Sequence, residues 1–549
     1  MGPPLLQRPV VSPPGRRTAP GLVGAALAAA IASTGIAPAR GQTASTPAEI
    51  LQLRIAQIRD GVPVEIGGEI IASTMVLPDF YERRGFQPVW SDPRAREELI
   101  AALKASADDG LDPLDYHVAA IEERMHAPPT SESEADLDLL ATDGVVRLAY
   151  HLRFGKVDLT TLEPDWQFHP EEETELHDPP AAALERAVEK HGVGPGLDAL
   201  RPSHWMYGAL RRALKEYRAI ESAGGWKSLA DGPALKPGMA DPRLSALERR
   251  LAAEGNLASA PREGPATYDS VLVAGVRRFQ DWHGMNPDGV LGKATVRALN
   301  VPVATRISQL RIALERSRLL LHGLPERFVV VNIPGFRAFY IDGGRPRLIS
   351  RVQVGKPFTQ TPIFRADMTY AVLNPSWTIP PGIMKRDVIP GMKRDPAYLE
   401  RMGFVKVGNQ IVQPPGPNNA LGQIKLMFPN THHVYLHDTP HRELFAADAR
   451  TFSSGCIRVE KIVDLTLLAL ADSVKWSREK LDAAIATGKT RNITLARRLP
   501  VLLTYWTAVV DDRDGRPRFY NDTYDRDPAF LAALDRPFRG AHHDPGPRP

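Results

Sequence analysis

Over residues 48–225 apolar residues recur at three- and four-residue spacing, most clearly over 97–107 and 137–154, and this period predicts a mainly helical region. Asp108-Asp109-Gly110 closes one such helix and Leu111-Asp112-Pro113 opens the next, through turn and capping chemistry. A shorter unit follows over 236–300. Leu244, Leu247 and Leu251 form one apolar face, Leu272, Val276 and Phe279 a second, and Leu291, Val296 and Leu299 a third. Asp241-Pro242 starts the first of these helices, Gly255 ends it in the left-handed conformation, and Pro287-Asp288-Gly289 makes a turn, which predicts three short helices around one small core. After a helix over 307–321 the period falls to two. Strands are predicted at 328–331, 337–342, 348–354, 368–373 and 433–436, with Asp342-Gly343-Gly344 as a hairpin turn. Helices return over 461–472 and from a Ser477 cap to Gly488; strands at 501–510 and 517–520 precede a polar, Pro-rich tail from 536.

The pattern therefore predicts a multidomain α+β chain: a helical scaffold at 48–225, a three-helix unit at 236–300, and a mainly antiparallel β domain at 326–510. Within the β domain residues 379–428, with Pro380-Pro381, Pro390 and Gly391, form a long insertion; C-terminal strands and the tail fill 511–549.

Composition narrows the class. The 549 residues are 43% hydrophobic and 24% charged, ordinary values for a folded chain of three to four domains. Sixty-eight basic against 64 acidic residues leave a net charge of +4 with no Lys/Arg stripe, which argues against a nucleic-acid partner. Arg8, Arg16 and Arg17 precede an uncharged run over 21–39 that ends Ala37-Pro38-Ala39, the pattern of an export signal cleaved after residue 39. No cysteine lies near that site, so lipid anchoring through one is not expected, and Thr18-Ala19-Pro20 is a poor match to a twin-arginine signal.

Cys456 is the single cysteine, so no internal disulfide is possible. It lies in Ser453-Ser454-Gly455-Cys456-Ile457-Arg458, read as standing just ahead of a helix, where dipole and cation would favour a thiolate and Gly455 would open backbone N–H groups to an oxyanion. His437, nineteen residues upstream at the end of an apolar run, is the candidate base. His432, His433 and His441 invite a metal reading, but Pro440 interrupts any helix and no Glu completes a zinc motif; no metal or cofactor is expected. The scattered His117, His151, His169 and His177 read as satisfied or surface residues.

The wider pattern is specific. Val354-Gly355-Lys356 with Thr361-Pro362, Asn374-Pro375-Ser376-Trp377, His437 and Ser454-Gly455-Cys456-Ile457-Arg458 resembles, in order and spacing, the L,D-transpeptidase catalytic domain of the YkuD type. Gln413-Pro414-Pro415 through Gly422, Met427-Phe428-Pro429-Asn430, Tyr435-Leu436-His437-Asp438-Thr439-Pro440 and the regions 80–90 and 110–113 resemble the long periplasmic members of that family. Val276-Arg277-Arg278-Phe279-Gln280-Asp281-Trp282-His283-Gly284 followed by Asp288-Gly289-Val290-Leu291-Gly292 resembles the three-helix peptidoglycan-binding domain, with Trp282 either packing or stacking on a sugar.

The resemblance implies a reaction and a location. Cys456 would attack the carbonyl before the terminal D-Ala of a tetrapeptide stem, and an acceptor amine would resolve the thioester into a 3→3 cross-link, with His437 as base and acid. Gly455 and Ser454 would form or flank the oxyanion site, Arg458 would position a carboxylate, and Tyr435 and Trp377 would line the cleft. Many shorter relatives carry Gly after the His and His or Arg before the Gly-Cys pair; here Asp438 and Ser454 stand there, with Asp438 read as an orienting group rather than as a required triad carboxylate. The insertion at 379–428 would act as a lid. Implied partners are peptidoglycan stem peptides and glycan, cell-wall synthases and carbapenem as covalent inhibitor, in the periplasm of a Gram-negative-type envelope. Two other readings stay open: an L,D-carboxypeptidase or cross-link hydrolase of the same fold, and a noncatalytic wall-binding scaffold.

Overall fold

The computed structural model describes residues 45–162, 184–185, 192–257 and 267–538; the expected export signal, His169 and His177 lie outside them. Among the described residues no helix is long and apolar enough to cross a membrane.

The N-terminal region is helical. Pro47–Arg59 starts with Thr46 and Glu49 in a reciprocal cap, and the 24-residue helix Ser131–Phe154 runs through the middle, buried along most of its length. That central helix begins six residues before the apolar period does, because Thr130 caps a polar first turn. The helix expected at 97–107 is Pro93–Lys104, continued as a tighter turn to Asp109 and closed by Gly110 at φ +76°. The described scattered histidines are internal: His117 sits 2.8 Å from both Glu69 and Asp143, and His151 meets the Tyr116 hydroxyl at 3.0 Å.

The three helices Leu244–Ala253, Ser270–Trp282 and Lys293–Leu299 enclose a separate core that holds all nine residues the sequence pattern picks out, joined by Leu229, Leu235, Leu257, Tyr268 and Val273. This unit is docked rather than tethered. Tyr217 donates to Glu254 at 3.1 Å, the Asn286 N–H reaches Asp448 at 3.0 Å, and Gly284 lies so close to the Tyr520 ring that a Cβ there would come within 2.7 Å. Trp282 is buried, with the Arg518 guanidinium 5.4 Å from its ring centre, so it packs here and offers no free face to a sugar.

Helix Val303–Leu320 carries the chain to the β domain and fastens it to the scaffold. Its fully buried Arg318 donates to the Asp109 carbonyl at 2.8 Å and to Tyr207 at 2.9 Å, while Glu315 pairs with Arg318 and accepts the Val157 N–H at 2.7 Å. One continuous apolar core runs from Leu51 in the scaffold to Leu534.

The β domain is built on nine strands: β1 (Arg327–Asn332), β2 (Arg337–Asp342), β3 (Arg345–Gly355), β4 (Phe364–Leu373), β5 (Ile424–Met427), β6 (Leu436–His437), β7 (Thr451–Ser453), β8 (Ile457–Val459) and β9 (Arg491–Thr504). They lie in the order β7-β3-β8-β6-β5-β4-β9-β1-β2, and the β2–β3 pairing closes eight of them into a ring. Six pairs are antiparallel, as expected; β6–β8, β7–β3 and β9–β1 are parallel, so the sheet is mixed. Gly343 and Gly344 form the β2–β3 turn with φ +61° and +71°, the conformation that a two-residue hairpin needs. The strand expected at 501–510 is two: β9 ends at Thr504, and Ala508–Val510 pairs separately with Pro517–Phe519.

The insertion expected at 379–428 is a folded subdomain that starts at strand Trp377–Thr378, while its expected last residues, Ile424–Met427, are strand β5 of the main sheet. Ile379, Val388, Phe404 and Ile411 make a small core, strands Trp377–Thr378, Val405–Val407 and Gln410–Gln413 form a three-stranded sheet, and Ile389–Arg394 and Tyr398–Arg401 are two short helices. The Asn419 amide ties its exit shut, donating to the carbonyls of Pro375, Gln413 and Pro414.

Candidate active site

Strand alternation builds the site. In β5, β6 and β8 the residues Ile424, Leu426, Leu436, Ile457 and Val459 are fully buried on the core side, so the alternate positions share the opposite face. His437 is paired with Lys425 on one side and with Arg458 on the other, and Arg458 is paired with Gln353 of β3. Tyr435 lies two residues before His437 and Cys456 two before Arg458, which puts all six on one sheet face.

Cys456 leads into strand β8; the next helix, Ile462–Leu470, starts six residues later. The expectation of a helix start at Cys456 is therefore corrected: the apolar positions of Ile457, Val459, Ile462 and Val463 belong to a strand followed by a helix, and no helix dipole acts on the thiol. What shapes the loop is hydrogen bonding. Gly455 has φ +116°, a conformation open to glycine. Its N–H donates to Ser453 Oγ at 3.1 Å and its carbonyl accepts from Thr361 Oγ1 at 2.8 Å; Ser453 Oγ donates on to the Cys456 carbonyl at 2.5 Å. Thr361 Oγ1 also accepts the Gly355 N–H at 2.9 Å, and the Tyr524 hydroxyl donates to the Gly355 carbonyl at 2.8 Å. The Gly455 N–H, expected to serve an oxyanion, is thus engaged by Ser453 in this state.

The half-buried Cys456 thiol points at the His433 carbonyl, 3.7 Å away. Burial pushes the thiol up from its ordinary range, against a backbone bond from Tyr435 and the positive charges of Lys425 and Arg458, which pull it down. His437 is buried and pushed down to about 3, by burial first and then by Arg458 and Lys425, so its imidazole is neutral at ordinary pH. Its Nδ1–H donates to the Asp438 carbonyl at 2.5 Å, which leaves Nε2 as the ring's acceptor. The Asp438 carboxylate turns elsewhere, taking the Gln423 N–H at 3.0 Å and Arg442 at 3.0 Å; it fixes the strand end and makes no bond to the ring.

Arg458 donates to Gln353 at 3.1 Å and its Nε is buried without a partner. Tyr435 lines the face with the Lys425 ammonium 4.0 Å from its ring centre. Ser454 is exposed and accepts from Arg386 of the insertion at 2.8 Å. Trp377 is half-buried against the insertion's own core, its ring 6.3 Å from Phe404, so in this state it packs the subdomain. Of the other histidines, His433 meets the thiol through its carbonyl, His432 lies against Phe364 and His441 pairs with Glu443. Lys425, Gln353, Arg386 and Tyr524 were not singled out from the sequence. For Lys425 a signal existed, a polar residue at an alternate position of the apolar run Ile424-Lys425-Leu426-Met427; for the others it did not.

Three family descriptions match the chain: a scaffold domain over 76–214, a "Putative peptidoglycan binding domain" over 240–299 and an L,D-transpeptidase catalytic domain, YkuD, over 326–475. A Haemophilus influenzae protein named "Putative L,D-transpeptidase" is 30% identical over 246 residues, 40% of this chain; the chain spans half the length of that relative. Among solved structures, an L,D-transpeptidase from Xylanimonas cellulosilytica is 16% identical, with 50% of this chain and 99% of that one covered and a TM-score of 0.18. One from Stackebrandtia nassauensis is 12% identical, with 50% and 96% covered and a TM-score of 0.23.

Proposed function

With residues 326–475 an L,D-transpeptidase catalytic domain of the YkuD family and residues 240–299 a peptidoglycan-binding domain, we propose that this chain forms 3→3 cross-links between peptidoglycan stem peptides through a Cys456 thioester. The observation that carries the reading is the placement of Cys456 and His437 on one face of adjoining parallel strands inside the matched region.

The chemistry follows from the charges. Neutral His437 takes the thiol proton as Sγ attacks the carbonyl that precedes the terminal D-Ala, then returns it to the leaving amine, so D-Ala departs and the acyl group stays on sulfur. An acceptor side-chain amine attacks the thioester, His437 takes its proton, and the new amide leaves with the thiol restored. Arg458 holds a donor carboxylate, and Tyr435 the peptide beside it. Ser454 and Gly455 shape the oxyanion loop. The insertion at 379–428 covers the thioester and keeps water from competing with the amine. The scaffold at 48–225 and the unit at 236–300 hold the catalytic domain against the wall, after export to the periplasm through the segment at 1–39. Cell-wall synthases are the partners this role implies, and carbapenem acylates Cys456.

The test is mass spectrometry of products from purified disaccharide tetrapeptides with the mature protein and with Cys456→Ala. Cross-linked dimer and free D-Ala, both absent with the variant, support the reading. Tripeptide monomer alone makes water the acceptor and the enzyme a carboxypeptidase; no product from either protein leaves a wall-binding scaffold.

A further inference from the structure

Two cations share the thiol's sheet face from the strands on either side of β6, and neither has a carboxylate partner among the described residues. Arg458 of β8 bonds only the neutral amide of Gln353, and Lys425 of β5 lies over the Tyr435 ring. Both are partly buried, and burial weakens the charged form of each; the one group that favours their charge is Cys456. Burying like charges around a point without an anion is costly, so such an arrangement is built around a negative charge at that point. His437 stands between the two in the sheet and cannot supply the countercharge, since as a cation it would add to the repulsion.

We propose that Lys425 is a positioning residue that favours the thiolate of Cys456 as His437 takes its proton, by facing the sulfur across the sheet from Arg458. The charged and titratable groups around that sulfur are Lys425 from β5, Tyr435 and His437 at β6, Arg458 from β8, and His433, which meets the thiol through its carbonyl. Of these, Lys425 and Arg458 carry positive charge; Arg458 is anchored by Gln353, and the Lys425 ammonium, on a flexible stem over the Tyr435 ring, has no hydrogen-bonded partner of that kind among the described residues. This inference rests on the reading of Cys456 as the nucleophile, but its consequence belongs to the thiol itself.

The experiment is the pH dependence of alkylation of Cys456 by iodoacetamide, a neutral probe that needs no substrate, in the full chain, Lys425→Met and Lys425→Arg. The single cysteine makes the readout unambiguous. In Lys425→Met the inflection moves up by about one pH unit or more, and Lys425→Arg brings it back toward that of the parent protein. Matching circular dichroism and thermal unfolding identify the variants as folded; should the Met variant not fold, the Arg variant and Lys425→Gln carry the comparison. An unchanged inflection overturns the proposal, and if it comes with a raised KM for the tetrapeptide donor, Lys425 reads the substrate carboxylate instead. A shifted inflection in a protein that makes no cross-links sustains the role of Lys425 while removing the transpeptidase reading.

Discussion

The Arg386 guanidinium donates to Ser454 Oγ at 2.8 Å, so the inserted subdomain touches the chain two residues before the cysteine. Both groups are exposed and Arg386 has its own ion pair with Asp387, which makes the contact easy to open and close. Replacing Arg386 by Ala is expected to leave the melting temperature within about two degrees and to raise tripeptide relative to cross-linked dimer severalfold, as the cover over the thioester loosens. Product mass spectrometry reads that ratio; an unchanged ratio would detach the insertion from water exclusion.

A neutral His437 has a kinetic signature. Its ring, held down to about 3, does not change charge between pH 5 and 7, so kcat/KM should have no acid limb near 6.5 from this residue. His437→Gln should lower kcat by about 100- to 10,000-fold at every pH in that range. A limb centred near 6.5 in the parent protein that vanishes in the variant would show that the ring is protonated at rest.

The same burial acts on stability. His437 and His283 are each pushed down to about 3 and His322 to about 4, burial being the leading cause in all three. The unfolded chain takes up protons at these sites as pH falls through about 6.5, and the folded chain does not until pH 3 to 4. Stability is therefore fully present above 6.5 and is lost progressively as pH falls. Melting temperatures should drop from pH 7 to pH 5, a window in which few carboxylates titrate, and the drop should shrink in His322→Phe.

Thr361 offers a test of the loop's construction. Its hydroxyl serves the Gly355 N–H and the Gly455 carbonyl, both buried, so its loss leaves two buried backbone groups without that partner. Thr361→Val should destabilise by about 2 to 4 kcal/mol and slow alkylation-independent turnover, whereas Thr361→Ser should restore both. Urea unfolding measures the first and product formation the second.

Much of this architecture is written locally and some of it is not. The alternations at Ile424–Met427, at Leu436–His437 and at Ile457–Val459 mark the strands, and the paired glycines at 343 and 344 mark their turn. Which strands adjoin is a nonlocal matter, so the company that Lys425 keeps with Cys456 is not evident until the β5–β6–β8 order is known. Tyr524 reaches Gly355 from far along the chain with no local pattern to announce it. The strand-to-helix passage after Cys456 misleads because one apolar run serves two periods. That the insertion has a core of its own is not evident in the sequence, because the four residues are spread over a Pro- and Gly-rich stretch.

The three-helix unit is held against its neighbours through Glu254, Gly284 and Asn286. On the proposed function, a glycan strand gripped by the outward surface of this unit would set the distance to the Cys456 sulfur, and the docked unit would act as a gauge that admits stem peptides at one spacing from the anchored strand.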